Sequence, residues 1–358
     1  MKTTRTPTLC LVLLAAIWTL PLPEATACTT FCLKSGSQAV FGKNYDWGVG
    51  DGLVIVNKRG MRKAAALPPP EKPARWVSKY GSVTFNQYGR EFPNGGLNEA
   101  GLAVELMWLD ETRYPVPDSR PALGCLEWIQ YQLDNFATAA EVARNAASLR
   151  VSADAKVHYL ACDKRGSCAA VEFLGGKPVV HTGSRLALAN HSYEDSLRFR
   201  ERNRGDAKAL RGIGSLQRFA RASERTEAYA RRGTGDPVRY AFETLDGVAQ
   251  GSYTRWSIVY DLEAGRVHWR TRENRRPRSV ALAAFDFSCA TPVKMLGIDD
   301  GAGDVSRLFA PYTPAANRKL VASAVRQTEF LAGIPAEEVA QVVNHPESTS
   351  CVVARKSR

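Results

Sequence analysis

Beyond residue 27 the sequence lacks any apolar run that approaches the roughly 20 residues needed to cross a bilayer. We therefore predict no membrane-spanning segment in residues 28–358. It also lacks a low-complexity linker, and residues 28–358 are long but not excessive for one folding unit. We expect residues 28–358 to form a single domain.

The sequence has little that indicates a metal or a nucleic-acid partner. No group of cysteines and histidines has the spacing of zinc ligands, so we predict neither a metal nor a cofactor. The formal net charge is +12, yet lysine and arginine are spread along the chain. Their densest group, at residues 272–278, has no interleaved aromatic side chains. This distribution favours a solvated surface over a nucleic-acid site.

The N-terminus has the pattern of a secretory leader. A basic start is followed by a short apolar core at residues 9–20 and by small residues at Ala25 and Ala27. This order is typical of a signal peptide. We predict cleavage after Ala27, which removes residues 1–27 and makes the mature protein periplasmic or secreted.

Cleavage after Ala27 makes Cys28 the first residue of the mature chain and gives it a free α-amine beside its thiol. A thiol attacks as thiolate, and a free cysteine with a pKa near ~8.5 is mostly protonated at neutral pH. An α-amine titrates near ~7.7 to 8, so it can take the thiol proton directly or through a water. One residue then supplies both nucleophile and base.

Three other interpretations of Cys28 stay open. One is a structural cysteine just past the leader. Another is the lipid acceptor of a non-catalytic secreted lipoprotein, although such sites usually carry a large aliphatic residue where Ala25 stands. The third is a papain-like dyad in which a histidine serves Cys28. No spacing marks any of the five histidines as that base: His158, His181, His191, His268 and His345.

Seven cysteines remain after the leader is removed. An odd number in an oxidising compartment leaves at least one free thiol. Cys162 and Cys168 flank a short polar turn, residues 163–167, between two apolar strand patterns. We therefore predict a cross-strand disulfide between them.

Strand-rich and helix-rich blocks alternate along the chain, which predicts an α+β layered fold. The first two strands, residues 28–33 and 38–45, are joined by a polar turn of hairpin length. A Thr138 and Glu141 capping box opens one helix. Further strands are predicted at 76–85, 101–109, 157–162, 168–174, 178–181, 186–189, 256–262 and 266–271, and helices at 123–136, 138–149, 194–204, 215–231, 237–248, 314–331 and 335–343.

Six short phrases follow one another along the chain, at residues 28–31, 41–47, 98–104, 188–192, 216–219 and 253–262. In this order they resemble those of the choloylglycine hydrolase family: penicillin V acylases, bile salt hydrolases and related linear-amide hydrolases. This family belongs to the N-terminal-nucleophile hydrolases. The resemblance implies an αββα four-layer sandwich, with two stacked antiparallel sheets between helical layers and the active site at one end of the sheets.

The resemblance also assigns roles around the Cys28 nucleophile. Asp46 matches the family aspartate that contacts the nucleophile and its amine, and a carboxylate beside an ammonium tunes the pKa of the amine. Asn190 matches the side-chain donor of the oxyanion hole. Arg218 matches a helix-borne arginine near the nucleophile, where its charge favours thiolate.

Two positions depart from the family pattern. The family often has arginine where Lys43 stands, and a lysine is a point charge instead of a bidentate fork, so its role beside Asp46 or a substrate carboxylate is open. Trp108 stands where relatives carry asparagine or tyrosine. We expect Trp108, with Met107 and Trp47, to form an apolar acyl pocket, and the second oxyanion donor to be backbone.

The resulting hypothesis is an exported amidohydrolase that acts on a small-molecule acyl amide, such as penicillin V or an N-acyl-homoserine lactone. Hydrolysis of bile salts is the enzymatic alternative. The family is commonly tetrameric, which makes a homo-oligomer an expectation of the resemblance. A short interval between Asn190 and Arg218 resembles the Gram-negative branch, in which an assembly loop is reduced.

Overall fold

A computed structural model describes residues 28–233, 235–331 and 333–352. The predicted signal peptide, residues 1–27, lies outside the described residues. The strands are β1 (Thr29–Ser35), β2 (Gln38–Asp46), β3 (Leu53–Asn57), β4 (Met61–Ala64), β5 (Arg75–Val77), β6 (Ser82–Asn86), β7 (Gly95–Asn98), β8 (Leu102–Trp108), β9 (Ala122–Leu123), β10 (Arg150–Val151), β11 (Val157–Asp163), β12 (Ser167–Leu174), β13 (Lys177–Ser184), β14 (Ala187–Leu188), β15 (Thr254–Asp261), β16 (Arg266–Thr271), β17 (Arg278–Ala281), β18 (Lys294–Gly297), β19 (Gly303–Asp304), β20 (Ala310–Pro311) and β21 (Ser350–Cys351).

Helices follow or separate these strands. No helix in the described ranges has the length and apolar character that a membrane crossing requires. The α-helices are α1 (Cys125–Asn135), α2 (Ala139–Asn145), α3 (Tyr193–Arg202), α4 (Ser215–Arg232), α5 (Pro237–Gly247), α6 (Pro314–Gln327) and α7 (Ala336–Asn344), and the short 3-10 segments are Gly251–Tyr253, Leu282–Ala284, Ser306–Leu308, Glu329–Leu331 and His345–Ser348.

Two large sheets organise the chain. One has seven strands in the order β14-β1-β2-β15-β16-β17-β19, and the other has nine in the order β13-β12-β11-β8-β7-β6-β3-β18-β20. Each is antiparallel along most of its length, apart from the parallel β17–β19 pair. Two small sheets, β10-β9 and β21-β4-β5, lie outside them.

Three buried clusters define the layers. The largest contains side chains of both large sheets, such as Phe41 and Phe85, so the two sheets pack face to face. A second cluster joins the nine-stranded sheet to α1 and α2, for example through Trp128. A third joins the seven-stranded sheet to α4 and α5, for example through Phe219. The fold is therefore an αββα sandwich.

Most predicted elements are confirmed, with shifted ends. The Thr138 and Glu141 capping box opens α2 as expected. The strand predicted at 76–85 is instead two strands, because the backbone N–H groups of Lys79 and Tyr80 leave the ladder and donate to the carbonyl of Asp134. No strand was predicted at β3 or at β7, the middle strand of the nine-stranded sheet.

The predicted disulfide between Cys162 and Cys168 is present and joins facing residues of β11 and β12. A second disulfide joins Cys289 to Cys351. Three cysteines within the described residues carry free thiols, namely Cys28, Cys32 and Cys125. The expectation of at least one free thiol is therefore confirmed.

Candidate active site

Cys28 stands immediately before β1, where the strand joins both β2 and β14. Side chains alternate along a strand, so Cys28 shares with Cys32 the face that points between the two sheets. Only 4% of Cys28 is exposed. Burial raises the pKa of its thiol, while the Lys43 ammonium and the backbone of Asp46 lower it. The resting thiol is therefore neutral and needs a base at the moment of attack.

Asp46 ends β2 beside the nucleophile. Its carboxylate accepts hydrogen bonds from the Thr254 hydroxyl and, at 3.0 Å, from the Gln250 amide. Burial raises the pKa of Asp46, and these donors together with Arg218 oppose that shift. A register shift in β15 aligns Thr254 with Asp46. Sequence reasoning missed Thr254 and Gln250, although Thr254 lies inside one of the recognised phrases.

Arg218 is a fully buried arginine on α4. Its guanidinium donates to the Cys28 carbonyl at 2.7 Å, to the Thr29 hydroxyl, and to Asn190 Oδ1 at 3.1 Å. Its Nε donates to the carbonyl of Ile213 at 2.8 Å. The planar fork of donors thus connects the nucleophile's own backbone to Asn190.

Asn190 follows β14 and is held at three points. Its backbone N–H donates to Ser215 Oγ at 2.8 Å, and its Nδ2 donates to the Trp108 carbonyl at 2.7 Å. Because Arg218 can only donate, Oδ1 must be the atom that faces it, which fixes the amide orientation. The Trp108 carbonyl accepts one Nδ2 hydrogen, so the other is the one that an oxyanion would accept.

A cavity of about 280 Å³ opens beside Cys28. Trp47 and Trp108 both line it, with ring centroids 6.3 Å apart. Its walls are mainly aromatic and aliphatic, and the C-terminal helices supply a large share of them. The other lining residues are Tyr45, Tyr88, Phe92, Asn94, Leu106, Cys125, Leu126, Ala155, Val157, Val321, Val325, Leu331, Ile334, Glu338, Val339 and Val342.

Met107 does not line this cavity, and the prediction that it forms the acyl pocket is corrected. Neighbouring residues of a strand point to opposite faces, so Leu106 and Trp108 reach the cavity while Met107 points between the sheets. Met107 is fully buried, and its sulfur accepts the hydroxyl hydrogen of Thr30 at 3.4 Å.

Lys43, the candidate for contact with a substrate carboxylate, also lies away from the cavity lining, so this structure does not support that contact. Its side chain is fully buried, and its ammonium donates to the Leu106 carbonyl and lies 3.5 Å from the Glu105 carboxylate. Burial raises the pKa of Glu105 to about 7, against the opposing effects of Lys43 and the Tyr260 hydroxyl. Lys43 acts on Cys28 through its charge.

Within the described ranges no histidine lines the cavity beside Cys28. The two ring nitrogens of His158 contact Glu172 and the carbonyl of Ala189, so neither is left to accept a proton from Cys28. His181 also faces Glu172. The geometry gives the papain-like alternative no support.

One grouping in the described chain has the proximity of metal ligands. The sulfurs of Cys32, Cys162 and Cys168 lie within 4.8 Å of one another. Two of them form a disulfide and so offer no thiolate, and burial raises the pKa of Cys32 to about 12. Thiolate is the form that binds metal, so this group is a poor site for an ion.

The αββα sandwich, with a cysteine leading a strand at one end of the stacked sheets, defines the class of N-terminal-nucleophile hydrolase folds. Penicillin V acylase from Agrobacterium tumefaciens superposes with a TM-score of 0.71 at 26% identity, covering 80% of this chain and 98% of that chain. Conjugated bile acid hydrolase from Clostridium perfringens has the same fold, with a TM-score of 0.65 at 16% identity over 77% of this chain and 98% of that one.

A curated relative, penicillin V acylase from Pectobacterium atrosepticum, is 28% identical over 207 residues. The match covers 52% of this chain and spans about half of the relative, 54% of its length. No family profile matches the chain. These matches agree with the resemblance of the chain to the choloylglycine hydrolase and penicillin V acylase family.

Proposed function

We propose that the chain, once it begins at Cys28, hydrolyses a linear acyl amide through an acyl-enzyme on the Cys28 thiol. The observation that carries this proposal is the juxtaposition of Cys28, at the wall of an apolar cavity, with Asn190, which Arg218 ties to the same backbone. The named activities of the penicillin V acylase relatives support the same reaction class.

The proposed reaction has two halves. The α-amine of Cys28 takes the thiol proton as the sulfur attacks the carbonyl carbon, and the second N–H of Asn190 Nδ2 donates to the developing oxyanion. The resulting ammonium then protonates the departing amine, the C–N bond breaks and a thioester remains. A water activated by the same amine hydrolyses the thioester, which releases the acid and restores the thiol.

The surrounding charges suit an amine base. The Asp46 carboxylate, held by Thr254 and Gln250, lies close enough to act on Cys28 electrostatically. A carboxylate near the amine stabilises the ammonium that forms during attack. Lys43 favours the thiolate that forms at the same moment. Each charge therefore stabilises one partner of the proton transfer.

The apolar walls suit the acyl half of the substrate, because the amine half of such amides is polar. We propose penicillin V-like phenoxyacetyl amides and N-acyl-homoserine lactone-like amides as substrates. Each methylene that the cavity removes from water contributes roughly 0.8 kcal/mol. The volume of about 280 Å³ is just below the usual range for ligand pockets, about 300 to 1,000 Å³. A small cavity favours a linear or single-ring acyl group over the fused rings of a bile salt.

The proposal includes export and cleavage after Ala27, with the mature enzyme in the periplasm or secreted, and assembly into a homo-oligomer. The intact mass of the exported protein tests the first part. A free N-terminal Cys28 supports the enzyme, whereas a blocked and heavier Cys28 would identify a lipoprotein. The oligomeric state follows from sedimentation of the same sample.

The direct test of activity is kcat/KM for protein that starts at Cys28. The substrates are N-acyl-homoserine lactones with four to twelve acyl carbons, penicillin V and glycocholate, and the control is the Cys28→Ala variant. We expect turnover of penicillin V, a rise with acyl length and poor turnover of glycocholate. A preference for glycocholate would favour bile salt hydrolysis, and no turnover of any amide would contradict the proposal.

A further inference from the structure

His158 occupies a fully buried position in β11. Its Nε2 lies 2.7 Å from the carbonyl oxygen of Ala189, and its Nδ1 lies 3.0 Å from Oε1 of Glu172, which is also fully buried. His158 belongs to the nine-stranded sheet, whereas Ala189 directly follows β14 of the seven-stranded sheet. The imidazole therefore bridges the two sheets.

The two partners of His158 fix where its protons lie. A carbonyl oxygen can only accept, so Nε2 carries a hydrogen and donates it to Ala189. A second proton is shared between Nδ1 and Glu172, since two lone pairs at 3.0 Å would repel. Glu172 Oε1 also accepts the N–H of Tyr193 at 2.9 Å, and its other oxygen faces His181 Nε2 at 3.4 Å.

The Ala189 carbonyl and the Asn190 N–H are the two ends of one planar peptide group. His158 holds the oxygen end at 2.7 Å, and Ser215 Oγ holds the nitrogen end at 2.8 Å. A peptide plane fixed at both ends sets the direction in which the Asn190 side chain leaves the backbone. That side chain is the oxyanion donor in the function proposed above.

We propose that His158, held by Glu172, is a positioning residue that orients the peptide before Asn190 and so aligns the oxyanion donor. The inference rests on the proposed amide hydrolysis. His158 has no ring nitrogen left for a substrate, because one contacts Glu172 and the other contacts the Ala189 carbonyl. Its effect on the reaction passes through Asn190 alone.

Two substitutions of similar size separate positioning from simple core stability. His158→Gln places an N–H₂ group where Nε2 stands, so it keeps the donor to Ala189. His158→Asn places its amide near Nδ1, so it keeps the contact with Glu172 and loses the one with Ala189. Both variants bury one polar side chain, which makes each the control for the other.

We measure kcat and KM on penicillin V and the melting temperature of each variant. Active sites are counted as the thiol-reagent labelling that is lost when Cys28→Ala is introduced, because Cys125 also lines the cavity. His158→Asn is expected to lower kcat about tenfold or more, because small misplacements of a reacting group are costly, with KM changed less than about twofold. His158→Gln is expected to stay within about threefold of the unmodified protein. A purely structural role would lower the melting temperature of both variants and leave kcat per titrated site unchanged.

A double-mutant cycle tests whether the effect passes through Asn190. In the Asn190→Ala background the oxyanion donor is already gone, so adding His158→Asn should change kcat by less than about twofold. If His158→Asn does not fold, Glu172→Gln replaces it in the same cycle. That variant keeps the shape and removes the charge behind the imidazole, and it is expected to lower kcat with little change in KM.

Equal kcat for His158→Asn and His158→Gln would overturn the inference, and so would a full tenfold loss in the Asn190→Ala background. Both results presuppose an active unmodified enzyme and would leave the proposed function standing. A mature protein without turnover on any amide would overturn the proposed function, and this inference with it. The two failures are therefore distinguishable.

Discussion

The two sheets of the sandwich contribute differently to the candidate site. The seven-stranded sheet and its helix α4 carry the residues proposed for the chemistry: Cys28 before β1, Asp46 on β2, Asn190 after β14 and Arg218 on α4. The nine-stranded sheet, α1 and the C-terminal helices carry most of the cavity wall. We call the first group of elements the reacting layer and the second the pocket layer. Mutations in the reacting layer should lower kcat, whereas mutations in the pocket layer should change selectivity for the acyl group.

The largest effect is expected in the reacting layer, from Cys28→Ala. Without a nucleophile no acyl-enzyme forms, so we expect kcat to fall at least about a thousandfold while the fold is retained. The matched control is Cys32→Ala on β1, which removes a thiol that points into the same space between the sheets. It should cost about 1 kcal/mol in free energy of unfolding and leave kcat near normal. Turnover and circular dichroism measure both.

The next effect belongs to the oxyanion donor. Asn190→Ala should lower kcat about 100-fold with a smaller change in KM, because the lost hydrogen bond strengthens only as the oxyanion forms. Asp46→Asn should also lower kcat, since the amine loses its carboxylate. Steady-state kinetics on penicillin V measures both, and near-normal kcat in Asn190→Ala would remove Asn190 from the oxyanion hole.

A substitution in the pocket layer should change selectivity instead of chemistry. Val339 lines the cavity from α7, and Val339→Phe fills space that a long acyl chain would occupy. We expect kcat/KM to fall about tenfold or more for a twelve-carbon acyl chain and less than about twofold for a four-carbon chain.

The control for this comparison is Gln341→Phe, which adds the same ring to an exposed position of α7. It should leave the chain-length profile unchanged. An equal loss on short and long chains in Val339→Phe would show that the C-terminal helices do not contact the acyl group.

The last effect is on stability instead of catalysis, where polar groups join the layers at the buried pair of Lys43 on β2 and Glu105 on β8. Burial raises the pKa of Glu105 to about 7, above the unfolded value near ~4.3. The folded state therefore binds the Glu105 proton more tightly than the unfolded state does. The stabilisation that results is complete below pH ~4.3 and is lost as pH rises through about 7.

Glu105→Gln imitates the protonated form and should remove up to about 3 kcal/mol of this decline between pH 5 and 8. The measurement is the free energy of unfolding in urea at both pH values. The exposed Glu111→Gln serves as the control. An unchanged pH dependence in Glu105→Gln would mean that Glu105 stays ionised beside Lys43.

Local sequence patterns predicted parts of both layers. The first hairpin, the capping box of α2 and the Cys162–Cys168 disulfide all depend on neighbours in sequence. Met107 was predicted in the acyl pocket because it is adjacent to Trp108 in sequence. Adjacent residues of a strand point to opposite faces, so this pattern already predicts that Met107 points away from the pocket that Trp108 lines.

Long-range contacts account for the rest. Thr254 reaches Asp46 across 208 residues, and the cavity-lining residues of α6 and α7 lie far from Cys28 in sequence. Lysine is usually exposed, so the sequence alone indicates a surface position for Lys43. The packed sheets show instead that it lies buried beside Glu105 and the Leu106 carbonyl. Apolar periodicity predicts that a helix packs, but not which cavity it covers.

The central claim is that the α-amine of Cys28 is the base of the reaction. The most direct measurement compares kcat for protein that begins at Cys28 with kcat for protein that keeps Gly-Ser before it, both shown to be folded. Peptide N–H groups are not bases, so the extended form should be inactive, and proteolytic exposure of Cys28 should restore turnover. Full turnover by the uncleaved extended form would contradict the account.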